Sequence, residues 1–372
     1  MGQWTITGGK IWRKGHLEKN SHFTIDVEND NNRIIDLGSE DILIPGYYDI
    51  HCHIWGQRNA YGLGSIISIS PDHLLSTGIV ACADAGSYGY KDWEEANRSW
   101  NFSPITVKSW INLIPESLTT PGIPYTQADQ VDKEKLVDIY DHNKDHLIGF
   151  KFIHGLLKKP EEERAYLEMA AELGERTGAR LMVHMTGSSL PIQETIHYLK
   201  PGDIMSHIFN DGRPGGIILD EKGEVIPEVI QAQKDGILLE SSSAFRHFSF
   251  RPFFAAQKIG LNADIIATDN NLRDYRKQPL FDITHFLTKM VAGGMDLEKA
   301  LAAAIDKPCE IMGLSTAYDK NVVVLRHQKG SFTFQDTTLK DPEPIVITSD
   351  FNYQVEYGVY SNYCVFTRNN EL

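Results

Sequence analysis

The chain has 372 residues, with 36 Lys and Arg against 50 Asp and Glu, a formal net charge of -14 and 41% apolar residues. That apolar share fills a large core, while the negative balance argues against nucleic acid or an anionic membrane as main partner, since phosphate contacts need clustered cations. No run of about 18 apolar residues spans a bilayer, the N-terminus lacks the apolar stretch of a signal peptide, and four scattered cysteines fit a reducing, cytoplasmic setting.

Residues 3–40 (WTITGGKIW, HFTIDVEND, RIIDLG) alternate apolar with polar positions between turn residues, which predicts antiparallel strands. From 42 to 313 the pattern changes to short apolar runs separated by longer amphipathic ones. The runs are ILIPGYYDIHCH (42–53), IVACADAG (79–86), ITVKSWINLI (105–114), LIGFKFI (147–153), RLMVHMT (180–186), DIMSHIFN (203–210), GILLES (236–241) and DIIATDN (264–270). Several are apolar on both faces, as parallel strands covered by helices are. PEEERAYLEMAAELGERTG (160–178) and PEVIQAQKDG (227–236) each open on Pro and close on Gly, the asymmetry of a helix start and stop. Eight such strands with intervening helices predict an α/β fold, a (β/α)8 TIM-type barrel. A doubly wound open sheet is the competitor, but no GxGxxG follows the first strand. Residues 318–369 (NVVVLRH, GSFTFQD, PIVITSD, YCVFTR) return to alternation. The expected organisation is a small β-sandwich from residues 1–41 and 314–372 around a barrel of residues 42–313.

Chemistry concentrates at strand ends. His51 and His53 are two residues apart in a strand, so they face together while Cys52 faces away. At a barrel's C-terminal mouth they would converge where such enzymes keep their sites; alone, an HxH is equally two ordinary histidines near a loop. His184 and His207 lie late in consecutive apolar strands, each followed by turn-forming residues. One buried strand histidine is usually a core residue, but two at equivalent heights are harder to explain so. Asp269 ends DIIATDN, as a site carboxylate or a helix cap. Lys151, mid-strand in LIGFKFI, must be edge-exposed, paired, or chemically altered, because an unpaired buried ammonium costs several kcal/mol. Carbamylation by CO2 would make it an anion able to bridge two cations. The spacings are 98 residues from His53 to Lys151, then 33 to His184, 23 to His207 and 62 to Asp269. At roughly 32 residues per βα unit these fall on strands 1, 4, 5, 6 and 8.

The pattern PGYYDIHCH, a strand-4 lysine, two strand-end histidines and a strand-8 aspartate resembles the amidohydrolase superfamily. GFKFIHG, LMVHMTGSSLP, KPGDIMSHIFNDGRPGGI and IIATDNNLRD look like the dihydroorotase-like amidohydrolase/deacetylase metallohydrolase branch. The resemblance implies that His51, His53 and Asp269 bind one divalent metal, that His184 and His207 bind a second, and that carbamylated Lys151 bridges them. Nitrogen and carboxylate donors suit zinc, with manganese or iron compatible. It further implies hydrolysis of an amide, ester or cyclic amide, with Asp269 carrying the proton. Two features depart from the branch. A histidine expected after strand 7 is replaced by Glu240-Ser241-Ser242-Ser243-Ala244, with His247 a few residues on. The usual Ala-Asp pair near the end becomes GSFTFQDTTLKD, a change expected to concern only the sandwich.

Arg246, Arg273 and Arg58 each follow a predicted strand end and are candidates to hold a substrate carboxylate. Asn210 and Ser188 are candidates to hydrogen-bond the scissile group. His154, His146 and His285 read as structural or surface residues. The expected activity is a binuclear metal hydrolase removing an acyl group from a small acidic substrate. The alternatives are a cyclic amidase resembling dihydroorotase and a non-catalytic metal-binding relative. The partner is a small molecule, and a homo-oligomer is left open.

Overall fold

The computed structural model describes residues 1–55, 68–101, 103–118, 126–157, 159–211, 215–244, 246–271, 282–316, 318–337 and 343–367. The N-terminal strands are β1 (Gly2–Arg13), β2 (His16–Lys19), β3 (Phe23–Val27) and β4 (Arg33–Ile44). β5 (Tyr47–Cys52), β6 (Ile79–Gly89), β7 (Thr106–Asn112), β8 (Leu147–Ile153), β9 (Arg180–His184), β10 (Ile204–Ser206), β11 (Leu238–Ser242) and β12 (Ile265–Ala267) follow. These eight pair in parallel, each with its sequence neighbour, from β5 through to β12. The ring closes where Cys52 bridges Asn270 in parallel, the His53 amide donating to the Asn270 carbonyl at 2.8 Å. All eight predicted barrel strands are present. Their buried apolar side chains form one large core.

Both helices read from the sequence form as the end signals require. Helix Pro160–Thr177 starts on proline with three glutamates in its first turn and ends at Gly178, whose φ of 74° is left-handed. Acidic residues near the start suit the helix dipole, and glycine takes the left-handed stop without a Cβ clash. Helix Pro227–Lys234 also opens on its proline.

β13 (Val322–Gln335), β14 (Val346–Tyr360) and β15 (Tyr363–Thr367) complete a seven-stranded sheet with β1–β4. This terminal sheet is continuous, in the order β15-β14-β13-β4-β1-β2 with β3 on β1. It has its own cluster of buried residues, including Trp4, Ile6, Ile25, Leu43, Val324 and Val359. Two details correct the sequence reading. β1 and β4 pair in parallel, because the chain leaves β1 and returns to it only after β2 and β3 have paired on it. NVVVLRH and GSFTFQD lie on one strand, β13, whose pairing with β14 continues across a register shift between Lys329 and Phe332.

Helix Ile283–Ala292 packs beside β14 and buries Lys289, whose Nζ sits 4.2 Å from the ring centroid of Phe248, 5.4 Å from that of Phe250 and 5.9 Å from that of Phe286. Burial pushes this amine down to about 7, against the opposing pull of the Asp336 carboxylate. An unfolded chain keeps the ordinary value of 10.5. Between those values the unfolded state holds a proton that the folded state has shed, so folding stability rises with pH across that window. Lys289→Met is therefore expected to raise stability by about 1–4 kcal/mol below the lower value. The gain should shrink steadily toward the upper one. Urea unfolding on the acidic side and in mid-window checks both size and slope; a Met variant less stable at both would contradict the assignment.

Candidate metal centre

His51 and His53 leave β5 on the same face, at the C-terminal end of the barrel, and both are buried. Between and behind them, the buried Asp49 carboxylate accepts from the His51 and Thr268 amides, at 3.0 and 3.3 Å, and from the Thr268 hydroxyl. That carboxylate ties the first barrel strand to the last. Burial raises it to about 6 despite these hydrogen bonds. Asp269 follows Thr268 with a left-handed φ of 52°, its amide donating to the His51 carbonyl at 2.6 Å. His207 follows β10 with a φ of 65°, its amide donating to Glu240 Oε2 at 3.0 Å. Non-glycine residues in this region are uncommon and concentrate at functional sites.

The ring nitrogens are sorted by their partners. Nδ1 of His51 shares a hydrogen bond with the Ser206 hydroxyl at 3.2 Å, Nδ1 of His53 with Ser87 at 2.8 Å, and Nδ1 of His207 with Ser242 at 2.6 Å. Each ring thereby turns Nε2 toward Asp269. Asp269 Oδ1 is 3.1 Å from His53 Nε2 and 3.5 Å from His51 Nε2, and its Oδ2 is 3.9 Å from His207 Nε2. Lys151 Nζ lies 3.3 Å from His51 Nε2. Room for that lysine comes from Gly86, where an added Cβ would sit 2.9 Å from the Lys151 Cβ. His184, at the end of β9, joins through His207, its Nδ1 2.8 Å from His207 Nε2, while its Nε2 meets the Thr186 hydroxyl at 2.6 Å.

These donors fit a divalent cation. Two ligands 2.0–2.1 Å from a tetrahedral zinc lie roughly 3.3–3.4 Å apart, close to the separations around Asp269 Oδ1. One atom from each of His51, His207 and Asp269 lies within 4.8 Å of the others, and the same holds for His184, His207 and His247. Burial, and next the Lys151 charge, hold His51 well below the ordinary histidine range; burial followed by neighbouring His247 and His184 does the same for His207. Both imidazoles are therefore neutral with lone pairs to give. Burial brings Lys151 down to about 8 against the attraction of Glu240, Asp269 and Asp84.

All six sequence-expected ligands, His51, His53, Lys151, His184, His207 and Asp269, thus sit together at one rim. The other candidates divide. Asn210 is buried, its amide donating to the His207 carbonyl at 3.1 Å. Arg246 is exposed on the loop after β11, with a φ of 78° and its amide donating to the Thr337 carbonyl. Arg58 and Arg273 lie outside the described residues. Ser188 is a correction: its hydroxyl donates to Glu163 Oε2 at 2.7 Å, in a buried cluster where Glu163 also meets His154 Nδ1 at 2.8 Å and the Ser189 amide. That hydroxyl pins the loop after β9 to helix Pro160–Thr177, in place of reaching substrate.

Two residues were not expected in the site. Glu240, inside β11, is fully buried, with Oε1 3.5 Å from His51 Nδ1; burial pushes it up to about 7. Its inward direction could have been read from strand alternation, since Ser242 shares its face. His247 Nε2 lies 3.8 Å from Asp269 Oδ2, and its ring stacks on His207 at 3.9 Å and 19°. It comes from a loop, where no periodicity announces direction.

No protein-family model matches the chain. A protein named deacetylase from Brucella anthropi is 25% identical over 308 residues, 80% of this chain and 72% of that protein. A deacetylase from Agrobacterium fabrum is 25% identical over 80% of this chain and 71% of its own length, and one from Enterococcus faecalis 22% over 71% and 70%. Among solved structures, a dihydroorotase superposes with a TM-score of 0.81 at 20% identity, covering 98% of each chain. An adenine deaminase gives 0.79 at 16%, covering 98% of this chain and 99% of its own. The structural matches bear out the expected fold, a parallel-stranded barrel with a sheet built from both termini, and the sequence relatives are themselves named deacetylases. No helix among the described residues is long and apolar enough to cross a membrane.

Proposed function

We propose that this chain is a binuclear metal hydrolase that cleaves an amide or ester bond of a small acidic acyl substrate, in the manner of a deacetylase. The observation that carries the reading is the convergence of His51, His53, Lys151, His207 and Asp269 at one barrel rim, with three Nδ1 atoms held by serines. The names of the sequence relatives support acyl removal over ring opening.

His51, His53 and Asp269 would hold one cation, His184 and His207 the other, and Lys151 as its carbamate would bridge them. Bound there, two divalent cations, zinc by the chemistry of these donors, supply acidification of water and polarisation of the acyl carbonyl. The chain's own groups do the rest. With its ordinary value lowered to about 8, Lys151 offers some neutral amine near neutrality. That amine attacks CO2: an N–C bond forms, the nitrogen loses a proton to solvent, and a carboxylate remains. The serine hydroxyls fix the imidazole tautomers, which sets ligand direction and basicity. The Asp269 carboxylate, nearly buried between facing imidazoles, takes the proton from attacking water and returns it to the leaving group. Arg246, exposed on the loop after β11, is the residue proposed to meet a substrate carboxylate.

Zinc-loaded protein prepared with bicarbonate is expected to bind two metal equivalents and to hydrolyse N-acetyl amino acids or acetylated hydroxy acids. Dihydroorotate and hydantoins serve as the cyclic comparison. Turnover confined to the cyclic set would replace this reading with ring opening. No metal uptake, with no activity after metal and bicarbonate, would favour a non-catalytic relative.

A further inference from the structure

His247 stands on the loop between β11 and helix Phe250–Lys258. A loop this close to a buried site needs backbone partners, since unsatisfied peptide groups are costly there. Its partners come largely from the terminal sheet. Arg246 N donates to the Thr337 carbonyl at 2.8 Å, and Thr337 N donates to the Phe248 carbonyl at 3.1 Å. Phe248 N donates to Thr337 Oγ1 at 3.1 Å, and the same hydroxyl donates to the Ala244 carbonyl at 3.1 Å. Asp336 takes the next two positions: Phe250 N donates to its Oδ1 at 2.7 Å and the Ser249 hydroxyl to its Oδ2 at 3.1 Å. Asp336 and Thr337 follow directly on β13, in the GSFTFQDTTLKD segment. The residue after His247 is anchored as firmly, with the Phe248 ring edge-on to Phe209, Phe250 and Phe286.

His247 is thus held on both sides, 8% exposed, with Nε2 facing Asp269 and its ring stacked on His207. We propose that His247 is a fifth imidazole of the metal centre, on the His184–His207 side, and that Asp336 and Thr337 are the positioning residues that place it there. The terminal sheet then forms part of the site, and the departure at GSFTFQDTTLKD reaches beyond that sheet. What His247 binds rests on the metal-hydrolase reading; how it is positioned does not.

The test reads the accessibility of each histidine, in the full chain, by carbethoxylation with diethyl pyrocarbonate and peptide mass spectrometry, without metal and with zinc. Thr337→Val replaces the hydroxyl by a methyl group, which deprives Phe248 N of that acceptor and leaves Ala244 O with the His247 amide, at 3.2 Å, as its donor. Without metal, His247 in that variant is expected to react about tenfold faster than in the wild type. Thr337→Ser should restore the slow rate, and Asp336→Asn should give a smaller increase because its amide oxygen still accepts from Phe250 N. In the wild type, zinc should slow His247 labelling along with that of His184 and His207. A wild-type rate at His247 in a folded Thr337→Val variant would overturn the positioning role. Zinc protection of His184 and His207 without His247 would overturn its place in the centre. Zinc protection of no histidine would instead overturn the metal reading, and the metal-free Thr337 comparison would still decide the positioning. Should Thr337→Val fail to fold, the Asp336→Asn labelling rate decides it.

Discussion

Asp269→Asn is expected to lower kcat by roughly 10²–10⁴-fold while the protein keeps most of its metal. The carboxylate lies between two pairs of imidazoles, its Oδ1 near His53 and His51 and its Oδ2 near His247 and His207. Backbone geometry fixes it there independently of its charge, through the left-handed φ and the bond to the His51 carbonyl. Asparagine preserves that shape and one coordinating oxygen, so neighbouring ligands have no reason to move. What it removes is the proposed acceptor for a proton released by water and owed to the leaving group. KM should therefore change much less than kcat. Parallel measurements of metal content and steady-state rates check this. Full activity would remove the proton-carrying role, and metal loss in step with activity would reduce Asp269 to a ligand.

Lys151→Ala is expected to abolish turnover and weaken metal binding by about 100-fold or more, since it deletes the proposed bridge between both cations. Burial removes the edge-exposed alternative for the lysine. Its side chain is 1% exposed, its ammonium faces an imidazole at 3.3 Å, and burial has already pulled its pKa toward neutrality. Formate, acetate or propionate should restore part of the activity by placing a carboxylate in the vacated space. Wild-type protein prepared with carbon-13 bicarbonate should also show a carbamate carbonyl signal that the Ala variant lacks. Undiminished activity and metal content in Lys151→Ala would contradict the bridging assignment.

How much of this was legible follows from geometry. His51 and His53 could be placed because side chains two apart in a strand share a face, and β5 obeys that rule. Lys151, His184, His207 and Asp269 could be placed because each sits in or directly after an apolar run, and barrel strands bring their C-terminal ends to one rim. Glu240 carries no motif signal, because it occupies the place where the branch's histidine is expected; its inward face is a property of β11. His247 was beyond reach, since its direction is set by hydrogen bonds from Thr337, 90 residues later in the chain. Ser188 departs from expectation for the converse reason: it follows β9 closely, but Glu163 on a neighbouring helix accepts from its hydroxyl. The terminal strands were legible as alternation, while the parallel pairing of β1 with β4 depends on long-range register that alternation does not encode.

The most direct test is anomalous diffraction at the zinc edge from crystals of zinc-loaded protein. Two peaks about 3.5–4 Å apart are expected at the C-terminal rim, with His51, His53 and Asp269 on one, His184 and His207 on the other, and density for a carboxylated Lys151 between them. A rim without anomalous signal, or peaks elsewhere with these side chains unengaged, would contradict the account.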